Sequence, residues 1–370
     1  MQSRNRLSRP GATITFVKRL DDVVNSTVCA SEQLRNETCA KLLTSVRTPN
    51  SHVWAGVDIG GTKCAVVLSS SPPTVLSRIE FPTLQAGGPN PAVDLIKKAI
   101  CDSLTTQGMN RSNLRAIGIS CGGPLNRTTG VIQAPPNLPT WIDVPITSIL
   151  EQEFGAECRL ENDANAGAVA EHRFGAGQGV ANMVFLTMGT GLGAGIIIEG
   201  RLYHGVSDMA GEIGHVRLSR SGPVGYHKQG SAEGWASGGG MAQVATRAIA
   251  AAGRKGESTS LTECARSGGA ITARDIGFAA QNGDAVAQRI IRNTGKRLGE
   301  VLAILVDLLN PERIVIGGLA MRLGEALLAP ARAVLRREAT APAAAACQIV
   351  PAALDERIGD VAALCVAMGF

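Results

Sequence analysis

Twice along this chain an apolar run breaks on a glycine-rich turn and resumes as a second apolar run. Val53 to Val57 and Cys64 to Leu68 flank Asp58-Ile59-Gly60-Gly61-Thr62-Lys63. Met183 to Met188 and Gly195 to Ile198 flank Gly189-Thr190-Gly191-Leu192-Gly193-Ala194-Gly195. Short runs rich in branched residues around clustered glycines read as strand, turn, strand. Two such units, more than a hundred residues apart in a 370-residue chain with 45% hydrophobic residues, call for two cores.

The elements after each unit support that division. Thr74 to Phe81 reads as a third strand, Ala92 to Leu104 carries Val93, Ile96, Ile100 and Leu104 at helical spacing, and Leu114 to Ile119 is again a strand. Three strands, a helix and a strand form the opening of a ribonuclease-H-like unit. In the second half, helices are predicted over Met241 to Ala252, Thr272 to Ala279 and Ala285 to Asn310. A buried strand, Ile314 to Ile316, ends in Gly317-Gly318. A proline-containing, hinge-like piece over Ala341 to Ala346, a strand at Gln348 to Val350 and a last helix, Ile358 to Met368, complete the chain. The expectation is a bilobal α/β protein with a cleft between lobes. Its N-terminal lobe spans 53–165, completed by a C-terminal helix at 355–370, and its second lobe spans 166–354. Residues 1–52, with Arg4, Arg6, Arg9, Lys18 and Arg19 ahead of the first acid, read as a disordered extension, with a transit peptide as the alternative.

Charge and cysteine content exclude some classes. A net charge of +5 without a dense basic run predicts no nucleic-acid partner. Nine cysteines, an odd number with no CxxC, predict reduced thiols and a cytoplasmic location. No apolar run is long enough for a membrane span.

In the first turn, two glycines let backbone approach an anion closely, Thr62 and Lys63 add a hydroxyl and a cation, and Asp58 is placed to hold Mg²⁺. An ordinary hairpin with a surface lysine is the competing reading. The second loop lacks the helix that a dinucleotide fingerprint needs and reads as a second phosphate hairpin with Thr190 as donor. Asp163, in Glu161-Asn162-Asp163-Ala164-Asn165-Ala166, is either a helix N-cap or a cleft carboxylate that accepts a hydroxyl proton. Glu212 and His215 in Gly211-Glu212-Ile213-Gly214-His215, Glu233 in a further Gly-rich stretch, and Asn162 offer a set of groups for a polyol, with a purely structural His215 as the competing reading.

Taken in order, DIGGTK, the GGPL of Gly122 to Leu125, the PPNLPTW of Pro135 to Trp141, ENDANA, GTGLGAG, GEIGH, the EGWASG of Glu233 to Gly238 and the LNPERIVIGG of Leu309 to Gly318 resemble the ROK family of sugar kinases and sugar-responsive repressors. The resemblance spans about Trp54 to Gly369 and implies an actin-like, hexokinase-like ATPase fold. It implies Asp163 as catalytic base. Asn162, Glu212, His215 and Glu233 would hold the sugar, with Gly123 and Asn137 lining the pocket. Asp58, Gly60, Gly61, Thr62 and Lys63 with Thr190 and Gly191 would grip phosphates, and Gly317 and Gly318 would lie against adenosine. ATP and Mg²⁺ are the implied cofactors and a homodimer the implied assembly.

The implied reaction is transfer to the primary hydroxyl of a hexose. Glucose is the first choice, and N-acetylmannosamine, fructose, mannose and allose stay open. A repressor or a non-catalytic sugar sensor is the alternative, although no helix-turn-helix pattern is visible in 1–52. One departure is plain. The family often binds structural zinc through a histidine and three cysteines, and here those cysteine positions hold Val224, Tyr226 and Ser231. No zinc is expected, with Pro223, Tyr226 and Trp235 packing in its place.

Overall fold

The structure, a computed structural model, describes residues 52–83, 87–266 and 269–370. Apart from His52, the expected N-terminal extension lies outside the described residues. Strands β1 (Val53–Ile59), β2 (Lys63–Ser69), β3 (Ser77–Pro82), β4 (Leu114–Cys121), the short β5 (Leu125–Asn126) and β6 (Val131–Ile132), and β7 (Glu157–Asn162) make up the first half. Five of them form a sheet of order β3-β2-β1-β4-β7. Its β1–β2 and β2–β3 pairs are antiparallel, and its β1–β4 and β4–β7 pairs are parallel.

Strands β8 (Met183–Met188), β9 (Leu192–Ile198), β10 (Arg201–Leu202), the small hairpin β11 (Val224–Gly225) and β12 (Lys228–Gln229), β13 (Arg313–Ile316) and β14 (Gln348–Pro351) make up the second. The order β10-β9-β8-β13-β14 repeats the same sequence of antiparallel and parallel pairs. The expected duplication of a strand-turn-strand unit is therefore a duplication of the whole sheet.

Helix α1 (Asn90–Thr106) opens with Pro91, whose missing N–H has no intrahelical partner to lose. It buries Val93, Ile96, Ile100 and Leu104, the stripe read from the sequence. Helices α2 (Ile146–Phe154) and α3 (Asp163–Phe174) follow, then α4 (Ala232–Trp235), α5 (Gly238–Lys255), α6 (Leu261–Arg266) and α7 (Ala273–Gln281). The rest are α8 (Ala285–Leu309), α9 (Leu319–Leu323), α10 (Glu325–Glu338), α11 (Ala341–Ala346) and α12 (Ile358–Met368). Caps mark the long ones. Thr272 and Asp275 form a capping box on α7, and Asp284 accepts from Val286 and Ala287 N–H at 2.9 and 3.0 Å to start α8.

Two expectations are corrected here. Ala341–Ala346 is a short helix, because Pro342 falls in the first turn, where it suits a helix rather than breaking it. The third strand starts at Ser77, not Thr74, because Ser71 to Thr74 close a turn through Pro72 and Pro73.

The centre of the body is layered. Helix α12 lies on β1 and β4, and α3 lies on β8 and β9, so the two helices are sandwiched between the sheets and pack on each other. Glycine makes both approaches close. A Cβ at Gly118 would run into the Ala363 and Ala367 backbone of α12, and one at Gly195 would sit 2.5 Å from the Ala164 carbonyl of α3. Glu171 near the end of α3 fixes the return of the chain: its buried carboxylate accepts from Ala176, Ala353 and Leu354 N–H. No described helix is long and apolar enough to cross a membrane.

Candidate functional site

Asp58 sits one residue before the end of β1, and Asp163 at the first residue of α3. Both line a 250 Å³ cavity between the sheets, together with Lys63, Arg78, Ser120 and Thr187. Gly359 and Asp360, in the first turn of α12, complete its wall. Two helices thus begin at one cavity, and the positive ends of their dipoles favour anions there.

The first turn is tighter than an open phosphate cradle. Gly60 N–H is closed onto the Lys63 carbonyl at 3.0 Å, so this donor is used inside the turn. Thr83, just past β3, braces it, with Oγ1 donating to the Gly60 carbonyl at 2.6 Å and N–H to the Thr62 carbonyl at 3.0 Å. Gly61 is needed for approach: a Cβ there would lie 2.6 Å from the Asn137 carbonyl. Thr62 is exposed. Lys63 reaches sideways, its Nζ 2.8 Å from Glu80 Oε2, the same oxygen that Arg78 Nη2 meets at 2.7 Å. Arg78 Nε also holds Asp360 at 2.8 Å.

This crowding of acids sets the electrostatics. Burial, then the charges of Asp163 and Asp360, push the Asp58 carboxyl up to about 7, against Lys63 and Arg78. Water reaches Asp163 through the open cleft, but protein surrounds it elsewhere. That burial raises its carboxyl above the ordinary range in spite of the bond from Ala164 N–H.

The N-cap reading of Asp163 is corrected. Asn162, in extended conformation, is the cap residue, and its Oδ1 accepts from Ala164 N–H at 3.0 Å. Asp163 Oδ1 meets the same N–H at 2.8 Å. Asp163 is therefore held in place by a bond to its own helix while its carboxylate faces the cavity.

The second loop is tied to the groups expected to hold a polyol. Gly189 N–H closes onto the Gly191 carbonyl, and the Gly189 and Thr190 carbonyls accept from Gly238 and Gly239 at the start of α5. Leu192 N–H donates to Glu233 Oε2 at 3.1 Å, and a Cβ at Gly191 would lie 2.7 Å from that oxygen. Glu212 Oε2 is 3.9 Å from His215 Nε2. Burial raises the Glu212 carboxyl, His215 lowers it, and the charges of Glu233 and Asp163 raise it again. Gly123 abuts the Asn162 carboxamide, with a would-be Cβ 3.3 Å from Nδ2, and Asn137 lies between Gly61 and Gly122. Gly317 and Gly318 stand behind the second loop, against the Phe185 ring and the Met188 carbonyl.

Three features escaped the sequence reading. Glu161 is buried, with Oε1 accepting from Asn162 N–H and Asn165 Nδ2, both at 3.0 Å, and Oε2 2.9 Å from His204 Nε2 and 3.6 Å from Arg127 Nε. It anchors the residue next to Asp163 to the loop after β10. Asp360 and Arg78 meet across 282 positions of sequence, and no local pattern marks such a pair. Thr187 shares the Asp163 cavity from the other sheet.

The ROK family profile matches residues 54–368. A glucokinase of Halalkalibacterium halodurans is 34% identical over 279 residues, covering 75% of this chain and 83% of that one. A xylose repressor of Caldicellulosiruptor bescii is 30% identical over 288 residues, covering 76% and 69%. Among solved structures, a ROK family glucokinase from Streptomyces griseus in complex with glucose and AMPPNP superposes with a TM-score of 0.71 at 32% identity, over 85% of this chain and 99% of that one. The chain belongs to the ROK family and has the actin-like, two-lobed α/β fold of its hexokinases and glucokinases.

Proposed function

We propose that the protein is a cytoplasmic, ATP-dependent kinase that phosphorylates the primary hydroxyl of a hexose, with glucose the first candidate. The observation that carries this reading is the single cavity, at the starts of α3 and α12, that Asp163 shares with Asp58. Asp163 orients the sugar hydroxyl and takes its proton as the oxygen attacks the γ-phosphoryl in line. Asn162, Glu212, His215 and Glu233 hold the ring hydroxyls, with Gly123 and Asn137 on the pocket wall.

The two glycine turns, with Thr62, Lys63, Thr190 and Gly191, face the phosphates. Asp58 offers an oxygen ligand for Mg²⁺, which supplies charge neutralisation on the phosphate oxygens when bound. Among the described residues no three candidate ligands converge on one metal position, and Mg²⁺ commonly takes one or two carboxylates plus substrate phosphates.

For adenosine we propose a further cavity. A second cavity of 390 Å³ lies between α7, α8 and α9–α10, with Gly277, Ala280, Ile291, Leu323 and Pro330 among its lining residues. Helix α7 begins at Ala273, beside Gly238 and the second loop, and its nine residues span about 13 Å to that cavity. Gly318 is the N-cap of helix α9, which ends on the same wall at Leu323. We take 53–165 with 355–370 as one lobe and 166–354 as the other, closing over the sugar.

The test is ADP release over a panel of hexoses and N-acetylhexosamines. Turnover with a hexose supports the reading, and no turnover with any sugar moves it to the sensor class. The xylose repressor relative gives DNA binding a footing as a second reading. Salt-sensitive binding of the full chain to its own promoter DNA would support that one.

A further inference from the structure

The β11–β12 hairpin stands where zinc-binding members of the family place metal ligands, and its residues do not fit zinc. Val224 offers an alkyl group. Tyr226 is an exposed phenol, and Ser231 Oγ is occupied by Gly234 N–H at 3.1 Å and the Gly225 carbonyl at 3.4 Å. A tetrahedral zinc site asks for thiolates and imidazoles. A two-residue strand pair is not stable alone. Its turn is also demanding, because Tyr226 and His227 both adopt left-handed backbone, with φ of 41° and 63°.

Three attachments hold it. The Gln243 carboxamide, on α5, binds both polar groups of Val224: Oε1 accepts from Val224 N–H at 2.9 Å, and Nε2 donates to its carbonyl at 2.8 Å. Gln243 thus stands in for a third strand. Ser231 caps α4 and touches the Gly225 carbonyl. Trp235 packs flat enough that a Cβ on Gly222 would lie 2.5 Å from its ring, donates Nε1–H to Ser219 Oγ at 2.7 Å, and lies under the Arg297 guanidinium at 4.6 Å. So braced, the hairpin presents the Tyr226 ring edge-on to His215, with centroids 4.8 Å apart at 78°. Lys228 Nζ donates to the His215 carbonyl at 2.6 Å.

We propose that this metal-free hairpin is a positioning device for the sugar site: Tyr226 fixes the orientation of the His215 imidazole, and Gln243 locks the hairpin that carries Tyr226. The proposal rests on the reading of His215 as a sugar-binding group. Its logic is that of a buttress. An imidazole free to rotate would bind a hydroxyl in one orientation among several, whereas an aromatic wall on one side and Glu212 on the other leave it one.

The experiment compares Tyr226→Ala, Tyr226→Phe and Gln243→Leu with the wild-type full chain. For Tyr226→Ala the KM for the hexose should rise about three- to tenfold, with kcat and the KM for ATP within about twofold of wild type. Tyr226→Phe should match wild type, because the ring and not the hydroxyl does the positioning. Gln243→Leu should repeat the KM effect and should lose hydrogen-exchange protection at Val224. An unchanged hexose KM in a folded Tyr226→Ala protein overturns the proposal, as does a Tyr226→Phe variant as impaired as Tyr226→Ala, or one zinc per chain in purified wild type.

Two further readouts separate this inference from the kinase reading. The His215 ring proton resonance should move in Tyr226→Ala, and exchange at Val224 should quicken in Gln243→Leu, whether or not the wild type turns over sugar. If the wild type neither phosphorylates nor binds any hexose, the kinase reading fails while these two still test the brace. If neither changes, the brace itself is refuted.

Discussion

Replacing Asp58 by asparagine should stabilise the ligand-free protein at alkaline pH while abolishing phosphoryl transfer. Burial beside Asp163 and Asp360 raises the Asp58 carboxyl from 3.8 to about 7. Between those values the native protein keeps a proton that the unfolded chain has released. The stability this group contributes is therefore complete below about pH 4 and falls as pH rises through about 7, above which the folded protein carries the crowded charge. At about 1.4 kcal/mol per pH unit, the gap between 3.8 and about 7 sets a ceiling of about 4 kcal/mol. Asp58 is partly open to the cleft, and solvent there reduces the expectation to about 2–3 kcal/mol.

Asparagine fits the same space and has nothing to ionise. The assay is urea unfolding of both proteins at pH 5.5 and pH 8.5, followed by tryptophan fluorescence, with ADP release measured in parallel. Only the part of the gap from about pH 5.5 to about 7 is lost in this window, so the wild type should lose about 1–2 kcal/mol more than Asp58→Asn between the two pH values. Stability curves that run parallel across that range would show that Asp58 is ionised throughout, and the reasoning would fall.

Asp163→Asn should lower kcat by about 10²–10⁴, or about 3–5 kcal/mol of barrier, with Tm not lowered, because asparagine keeps the acceptor for Ala164 N–H and removes a buried charge. Steady-state kinetics beside a thermal melt check both halves. Gly118→Ala should cost about 1–3 kcal/mol or more in chemical denaturation, since its Cβ meets the α12 backbone, which cannot step aside as a side chain would. Glu171→Gln leaves an NH₂ facing the N–H groups of Ala176, Ala353 and Leu354, and should cost about 1–3 kcal/mol by the same measurement. Asp284→Ala removes the α8 cap and should cost about 1 kcal/mol. In spite of partial burial, hydrogen bonds from Ala287, Thr259 and Ser260 hold its carboxyl down at about 2. The contribution of Asp284 is therefore present above about pH 4 and lost as pH falls through about 2, so the variant and wild type should converge in acid.

Local pattern made much of the fold legible. The apolar stripe of α1, the start of α8 at Ala285 and both glycine turns are signals carried by residues a few positions apart, and each stands where it was read. Asp163 was readable as a cleft carboxylate because a strand ends and a helix begins at that point. What escaped depends on distant chain. Lys63 reads as a phosphate cation from its place in the turn, and the Glu80 that β3 brings beside it has no mark in the local sequence. Gly60 looked like a free donor, but a tight turn closes its N–H on Lys63. Arg78 and Asp360 have no mark of their own until α12 returns to the first sheet. The Glu161–His204 pair likewise joins β7 to the loop after β10.

The position of α12 also orders the birth of the protein. The face of the first sheet that carries Gly56 and Gly118 is covered by the last helix of the chain, residues 358–368. On a ribosome, β7 emerges about 200 residues earlier, a wait on the order of 10–40 s at about 5–20 residues per second. During that interval the first sheet has α1 and α2 on its other face and nothing native on this one. Nascent chains of this protein should therefore engage a holding chaperone until α12 has emerged, and a truncation that removes α12 should send the whole product to degradation rather than leave a weakened protein.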